Sequence, residues 1–200
     1  MYMGGHPDNV INFYKLKKKY KFKIIEDACH AFGASYKSKD RYYKIGSCRH
    51  SDICVFSFHP VKTITTGEGG LVCTNNKEFS FKIKYFRNHN IERNKNYWNY
   101  NISKPAFNYR LSDINCALGI SQLSKVNFII SSRKKIFENY NKFLKKHSSK
   151  LTLRPLKNGE RPCFHLGILN IKFKKKKNKN GLFRYLNKRN IFPQYHYKPI

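Results

Sequence analysis

Apolar positions along this chain follow two rhythms, a helical repeat and short unbroken runs, and their alternation predicts an α/β layered domain. Behind a turn at His6-Pro7-Asp8, the residues Val10, Phe13, Tyr14 and Tyr20 recur at helical spacing. They predict an amphipathic helix over 9–20 with Asp8 as its N-cap. Residues 22–26 form a short apolar strand ending on Glu26 and Asp27, and 33–37 offers another. A buried strand over 52–58 is followed by a turn at 65–68 and a second strand over 69–74. Phe79, Ile83 and Phe86 give 78–87 helical periodicity. Ser112 or Asp113 caps a long helical stretch that breaks near Asn127 and continues to about His147.

Beyond Lys150 the pattern changes. Residues 152–156, 165–173 and 191–197 read as strands, with a helix around 182–188, which makes a small α+β unit after the long helix. The Lys/Asn-rich stretch 174–180 reads as a connecting loop without a function of its own. No internal repeat is evident.

Composition refines this picture in three ways. Hydrophobic residues make up 40% and aromatics 16% of the 200 residues, enough for a core and against disorder. The formal net charge of +30 admits a polyanion-binding role. However, the lysines are spread through every segment alongside Asn, Ile, Phe and Tyr, as drift toward A/T-rich codons would leave them. The densest tracts, 17–19 and 174–177, carry no interleaved aromatics to stack on bases, so no specific nucleic-acid partner is expected. The longest apolar runs, such as 53–56 and 128–130, are too short to span a bilayer, and residues 1–5 start no signal peptide. A soluble, cytoplasmic protein without a membrane partner is the expectation. Cys29, Cys48, Cys54, Cys73, Cys116 and Cys163 form no zinc-like spacing with the histidines and no Cys-x-x-Cys pair, so no metal is expected. Their mostly apolar neighbours suit small buried thiols.

Chemistry concentrates at Ser57-Phe58-His59-Pro60-Val61-Lys62-Thr63-Ile64-Thr65-Thr66-Gly67-Glu68-Gly69-Gly70. A lysine in a loop is ordinarily solvated surface. Lys62 differs in following a buried strand within the most glycine-rich stretch of the chain, with the hydroxyl of Ser57 five residues before it. Such a loop, offering Ser, Thr and backbone N–H groups, can hold a phosphate. A lysine beside it can form a Schiff base with a carbonyl cofactor. The second element is Ile24-Ile25-Glu26-Asp27-Ala28-Cys29-His30-Ala31. Open α/β sheets place ligand groups at the carboxyl ends of their strands, where Asp27 falls. Pyridoxal phosphate (PLP) needs one such carboxylate to keep its pyridine nitrogen protonated. His30 can reach the phenolic oxygen from the same side. A loop cap for Asp27 and a core histidine for His30 are equally open readings of each residue alone.

Residues 26–34, 57–70 and 107–123 (FNYRLSDINCALGISQL) together resemble the DegT/DnrJ/EryC1/StrS sugar aminotransferases, fold-type I PLP enzymes related to aspartate aminotransferase. The similarity runs from Gly4 to about Leu144. It resumes in 164–169 and in Gln194-Tyr195-His196-Tyr197-Lys198-Pro199-Ile200, which resembles the family's Val-His-Tyr-Ile-Pro-Ile. The resemblance implies that Lys62 is the Schiff-base lysine and proton shuttle, Asp27 the pyridinium partner, His30 the neighbour of the phenolic oxygen, and Ser57 a phosphate ligand. It matches Asn108 to a residue that reaches the phosphate in the other subunit of a homodimer, with Arg110 as an alternative for that job, and His196 to the sugar or nucleotide side. It implies transfer of an amino group, from L-glutamate, to a nucleotide-linked 4-keto-6-deoxy sugar. The Lys62 motif most resembles the enzymes that make UDP-4-amino-4,6-dideoxy-N-acetyl-altrosamine on the route to pseudaminic acid, although perosamine-type and 4-amino-arabinose-type members share much of it.

In domain terms the resemblance makes 1–125 the C-terminal part of a large PLP-binding domain. It makes 126–200 the connecting helix and an incomplete small α+β domain. It also places before Met1 a region that supplies a phosphate-binding helix end and an aromatic ring for the pyridine, so truncation at both ends is expected. Two rival readings stand beside it. A PLP-dependent sugar dehydratase keeps the fold but has histidine where Lys62 stands. A catalytically inactive remnant would bind polyanions nonspecifically through its charge.

Overall fold

A computed structural model describes residues 1–93, 96, 98–147, 150–173, 177–195 and 197, with Lys177 and Asn178 described by backbone alone. The first half runs from a 3-10 turn at Met3–Gly5 into α1 (Val10–Tyr20), β1 (Ile25–Asp27), β2 (Ser35–Ser38), β3 (Arg41–Lys44), β4 (Ile53–Ser57) and β5 (Gly70–Cys73). Then come α2 (Lys77–Arg87), β6 (Ile91–Arg93), β7 (Tyr100–Ile102), α3 (Asp113–Ser124) and α4 (Val126–His147). The chain closes with β8 (Leu151–Leu153), β9 (Glu160–Arg161), β10 (Leu169–Ile171) and α5 (Lys177–Asn187).

The central sheet has the order β1-β4-β5, with β1 parallel and β5 antiparallel to β4. The alternation in β4 is carried by Cys54 and Phe56, which bury their side chains on one face. Beyond β1 the chain turns tightly back on the sheet. The Ala28 amide extends the ladder to the Val55 carbonyl at 2.8 Å, and the Ala31 and Ala34 amides close successive turns onto Ala28 and Ala31. Three fully buried alanines allow that close approach, and they pack with Tyr36, Cys54 and Phe56 in the main core. Gly33 completes the turn at φ +86°, a left-handed conformation that favours glycine, and a Cβ there would also push against Ile130 Cδ1 of α4 at 2.4 Å. A smaller core joins Phe137 of α4 to Leu153 and Phe164, with Phe137 and Phe164 rings 5.0 Å apart.

Helix ends follow local chemistry. Asn76 caps α2 by accepting the Phe79 amide at 3.0 Å, and Ser112 caps α3 by accepting the Asn115 amide at 3.3 Å. The break expected near Asn127 falls at Lys125, whose amide donates to the Gln122 and Leu123 carbonyls. Asp8 does not cap α1. Asn9 occupies that position in the left-handed region without a side-chain cap, while Asp8 binds Arg154 at 3.0 Å and Lys157 at 2.6 Å. Ion pairing to a distant strand segment outweighs the local cap.

Other expectations shift at the edges. β1 is shorter than 22–26, and Ile25 is 67% exposed because β1 lies at the margin of the described sheet. The run 165–173 contracts to β10, since the residues before it bond to the Gly4 carbonyl instead of a strand partner. No strand forms among the described residues of 191–197. Part of the expected loop 174–180 is the first turn of α5, and 174–176 lie outside the described residues. Cys116 is exposed on α3, whereas Cys48, Cys54 and Cys163 are buried. Among the described residues, no helix is long and apolar enough to cross a membrane.

Candidate functional site

Because β1 and β4 run parallel in the register Asp27↔Val55, their carboxyl ends open on one edge of the sheet. Asp27 ends β1, Ser57 ends β4, and Lys62 follows in the loop. Parallel neighbours thereby bring together residues 35 positions apart.

Asp27 is half-buried and accepts the Cys29 amide on Oδ1 at 3.1 Å. Burial pushes its carboxyl upward, but hydrogen bonds from the Cys29 amide and thiol, with His30 nearby, hold it below the usual carboxylate range. It is an anion at neutral pH. The Cys29 thiol is pushed up to about 11, by burial first and then by Asp27, while the Lys62 ammonium opposes that shift. The thiol therefore stays protonated as a donor, and Lys62 acts on the same small region as Asp27. Asp27 does cap its own turn, and a carboxylate has acceptor capacity beyond that one amide. His30 is 3% exposed, and its ring lies 4.5 Å from that of His165, tilted by 39°.

Phe58 pins both ends of the lysine loop. Its amide donates to the Gly69 carbonyl at 2.8 Å, and its carbonyl accepts the Thr66 amide at 3.0 Å and the Thr65 hydroxyl at 2.9 Å. Thr65 Oγ1 accepts the Gly67 amide at 2.9 Å, and the Thr66 hydroxyl donates to the Glu68 carbonyl at 2.8 Å. These two hydroxyl hydrogens, offered by the sequence as phosphate donors, are spent on holding the loop. Ser57 differs: its Oγ accepts the His59 amide at 3.3 Å and retains its own hydrogen to donate. Gly69 sits at φ +147°, with Thr66 Oγ1 2.6 Å from where a Cβ would stand. Val61 is exposed, Thr63 and Ile64 are buried, and Lys62 is half-buried at the boundary, its amide bonded to the His59 carbonyl at 2.9 Å.

Asn108 and Arg110 lie elsewhere. Asn108 is exposed and bridges to Asn88 at the end of α2, and Arg110 Nη1 donates to Asn88 Oδ1 at 2.6 Å. No hydrogen bond or ion pair joins either residue to Asp27, Ser57 or Lys62 among the described residues. His196 lies outside the described residues.

Three contributors escaped the reading of the sequence. Asn115 donates its side-chain amide to the Thr66 carbonyl, from a helix that lies in the resembling stretch 107–123 but in which only the cap and Asn108 and Arg110 before it are given roles. His165 packs on His30, and Arg133 of α4 holds the His165 carbonyl at 3.1 Å. Each reaches the site across a long sequence separation; Asn115 and His165 fall within the resembling stretches 107–123 and 164–169, which assign them no role, and nothing in the sequence singles out Arg133.

Comparison with known proteins settles the class of the fold around this edge. The model of the DegT/DnrJ/EryC1/StrS aminotransferase family matches residues 2–200. The chain belongs to that family. Its DegT-family relatives include the UDP-4-amino-4,6-dideoxy-N-acetyl-beta-L-altrosamine transaminase of Campylobacter jejuni subsp. jejuni serotype O:23/36 (strain 81-176), 40% identical over 98% of this chain and 50% of the relative. The enzyme of the same description from Helicobacter pylori (strain ATCC 700392 / 26695) is 35% identical over 98% of this chain and 50% of its own length. Among solved structures, Helicobacter pylori PseC, described as an aminotransferase involved in the biosynthesis of pseudoaminic acid, superposes with a TM-score of 0.89 at 34% identity. That match covers 100% of this chain and 52% of PseC. The α/β architecture is thus that of the fold-type I PLP-dependent transferases, and the chain spans about half the length of the curated relatives it matches.

Proposed function

We propose that this DegT-family chain carries the cofactor lysine and the pyridine-facing carboxylate of a PLP-dependent aminotransferase that acts on a UDP-linked 4-keto-6-deoxy sugar, with L-glutamate as amino donor. The observation that carries the reading is the parallel pairing of β1 with β4, which sets Asp27 and the Lys62 loop on one sheet edge. Residues there suit the group. Asp27 is held ionised, Ser57 keeps a donor for a phosphate oxygen, and Lys62 is half-buried between an exposed and a buried neighbour. PLP, when bound, supplies an electron sink for the donor's Cα. Asp27 would hold a proton on the ring nitrogen, His30 would face the phenolic oxygen, and the Lys62 amine would attach the cofactor and carry a proton at the reacting carbon. The UDP-sugar assignment draws on the transaminases that are 40% and 35% identical, and glutamate on the family resemblance.

A second copy of the chain completes this reading. Asn108, and alternatively Arg110, would serve the cofactor phosphate of the partner, and His196 the sugar or nucleotide. Support comes from α3, where Ile114 and Ile120 are 84% and 72% exposed and no residue is buried, as suits a face that packs on protein. Residues 1–125 then form the cofactor-binding unit and 126–200 the connecting helix and small unit, in a protein working in the cytoplasm. Incubation with PLP, L-glutamate and matched UDP- and GDP-linked 4-keto-6-deoxy sugars tests the assignment. Formation of 2-oxoglutarate and a UDP-linked amino sugar is expected. Product from the GDP sugar alone, or from neither, contradicts it.

A further inference from the structure

The sequence gives residues 162–166 no chemical role, yet this segment is wedged between the two cofactor-facing motifs. Cys163 is fully buried. Its Sγ lies 2.9 Å from the carbonyl of His30 and donates to it, across 133 residues of sequence. The same sulfur accepts the hydroxyl of Thr63, the residue after Lys62, at 3.8 Å across 100 residues. One side chain therefore touches the turn that carries His30 and the loop that carries Lys62. Burial pushes its thiol up to about 11, so the hydrogen it donates is retained at neutral pH.

Two residues on, the His165 ring packs on the His30 ring at 4.5 Å. Backbone bonds fix the segment from both sides: the Cys163 amide donates to the Gly5 carbonyl at 3.2 Å and the His165 amide to Gly4 at 3.0 Å. Arg133 of α4 holds the His165 carbonyl. No room is left for slack, because a Cβ on Gly5 would stand 2.5 Å from Cys163 Sγ and 2.7 Å from the His30 carbonyl. Thr63 is 4% exposed, so its hydroxyl has no water to turn to.

We propose that Cys163, with His165, is the positioning element of the cofactor pocket, setting the Lys62 loop against the His30 turn through the Thr63 hydroxyl and the His30 carbonyl. The inference rests on the cofactor reading above for its consequence, though the bridge itself does not. Cysteine suits the task because one buried sulfur can accept and donate at once while filling more volume than a hydroxyl.

Hydrogen exchange and borohydride trapping, run together on the unaltered protein, Cys163→Ala, Cys163→Ser and Thr63→Val, separate the two claims. In Cys163→Ala, backbone exchange should rise together in 28–34 and 58–66 by tenfold or more under conditions where the protein stays folded. Trapped pyridoxyl label on Lys62 at limiting PLP should fall by a similar factor. Cys163→Ser, which keeps a donor to the His30 carbonyl, should recover both to within about threefold. Should Cys163→Ala fail to fold, Thr63→Val removes the other half of the bridge with little change of shape and must loosen 58–66 alone. Unchanged exchange in folded Cys163→Ala or in Thr63→Val, or a serine variant as loose as the alanine, overturns the positioning role. Missing label on the unaltered protein strikes the cofactor reading instead and leaves the exchange result to judge the bridge.

Discussion

Asn115, in the first turn of α3, donates its side-chain amide to the backbone carbonyl of Thr66, 49 residues earlier in the loop that carries Lys62. Thr66 is 3% exposed, so its carbonyl has no ready alternative partner. Replacing Asn115 by Ala should cost about 1–3 kcal/mol, the scale of a buried acceptor left unpaired. Denaturant unfolding measures this directly. A change near zero would mean that water serves the carbonyl equally well.

The same contact reverses an ordinary helix rule at Gly119. Alanine in a helix interior is normally worth about 0.5–1 kcal/mol over glycine. Here a Cβ on Gly119 would stand 2.8 Å from the Thr66 methyl, and the overpacking penalty of about 1–3 kcal/mol exceeds the gain. Gly119→Ala should therefore destabilise the protein, and a raised melting temperature would refute the packing between α3 and the lysine loop.

Asp27→Asn should impair amino transfer far more than cofactor binding. An amide cannot hold the ring proton as a carboxylate does, and losing one electrostatic stabiliser of this kind costs about 10²-fold in rate. Titration with PLP and turnover at saturating PLP give the two numbers separately. A variant that binds PLP poorly yet turns over normally once saturated would leave Asp27 as nothing more than the cap of the Cys29 turn.

Asp52 provides the acid-side test of stability. It lies at the head of β4 and accepts Lys17 Nζ at 2.6 Å and the Ile24 amide at 2.7 Å, with Lys23 Nζ at 3.7 Å. Burial raises its carboxyl, but the Lys17 and Ile24 bonds and the two lysine charges prevail and hold it below 3.8. A depressed folded-state value stabilises at all pH above the unfolded value and is lost as pH falls through the folded one. Asp52→Asn should thus be less stable than the unaltered protein at pH 7, and the gap should close below about pH 4. A gap independent of pH would assign the loss to packing.

Much of this was legible in the sequence because it is local. Periodicity places α2 to within one residue at its start, α4 ends at His147 as expected, and Ser112 caps α3. The runs for β4 and β5 fall within a residue of their predicted ends, since continuous apolar stretches bounded by glycines and polar turns specify strands locally. Glycine-poor, polar strands escaped: β3 reads Arg-Tyr-Tyr-Lys and owes its form to pairing with β2, and β9 likewise. The cap expected at Asp8 does not form because its partners, Arg154 and Lys157, lie 146 and 149 residues away. At the site, the motifs named Lys62, Asp27, His30 and Ser57, and pairing of β1 with β4 explains how the two motifs meet. Their supports, Asn115 and Cys163, act through backbone carbonyls, which no side-chain pattern in a sequence reveals.

The most direct test of the account is the fate of Lys62. The protein incubated with PLP and reduced with borohydride should carry a pyridoxyl group on a single peptide, at Lys62, with the near-visible cofactor absorbance lost in parallel. Lys62→Ala should lose that label and that absorbance while keeping its fold, since the residues on either side, Val61 and Thr63, offer no amine in its place. Label at Lys62 alone supports the cofactor reading. Label scattered over the other lysines and unchanged in Lys62→Ala would contradict it, as adventitious modification of a chain carrying a net charge of +30.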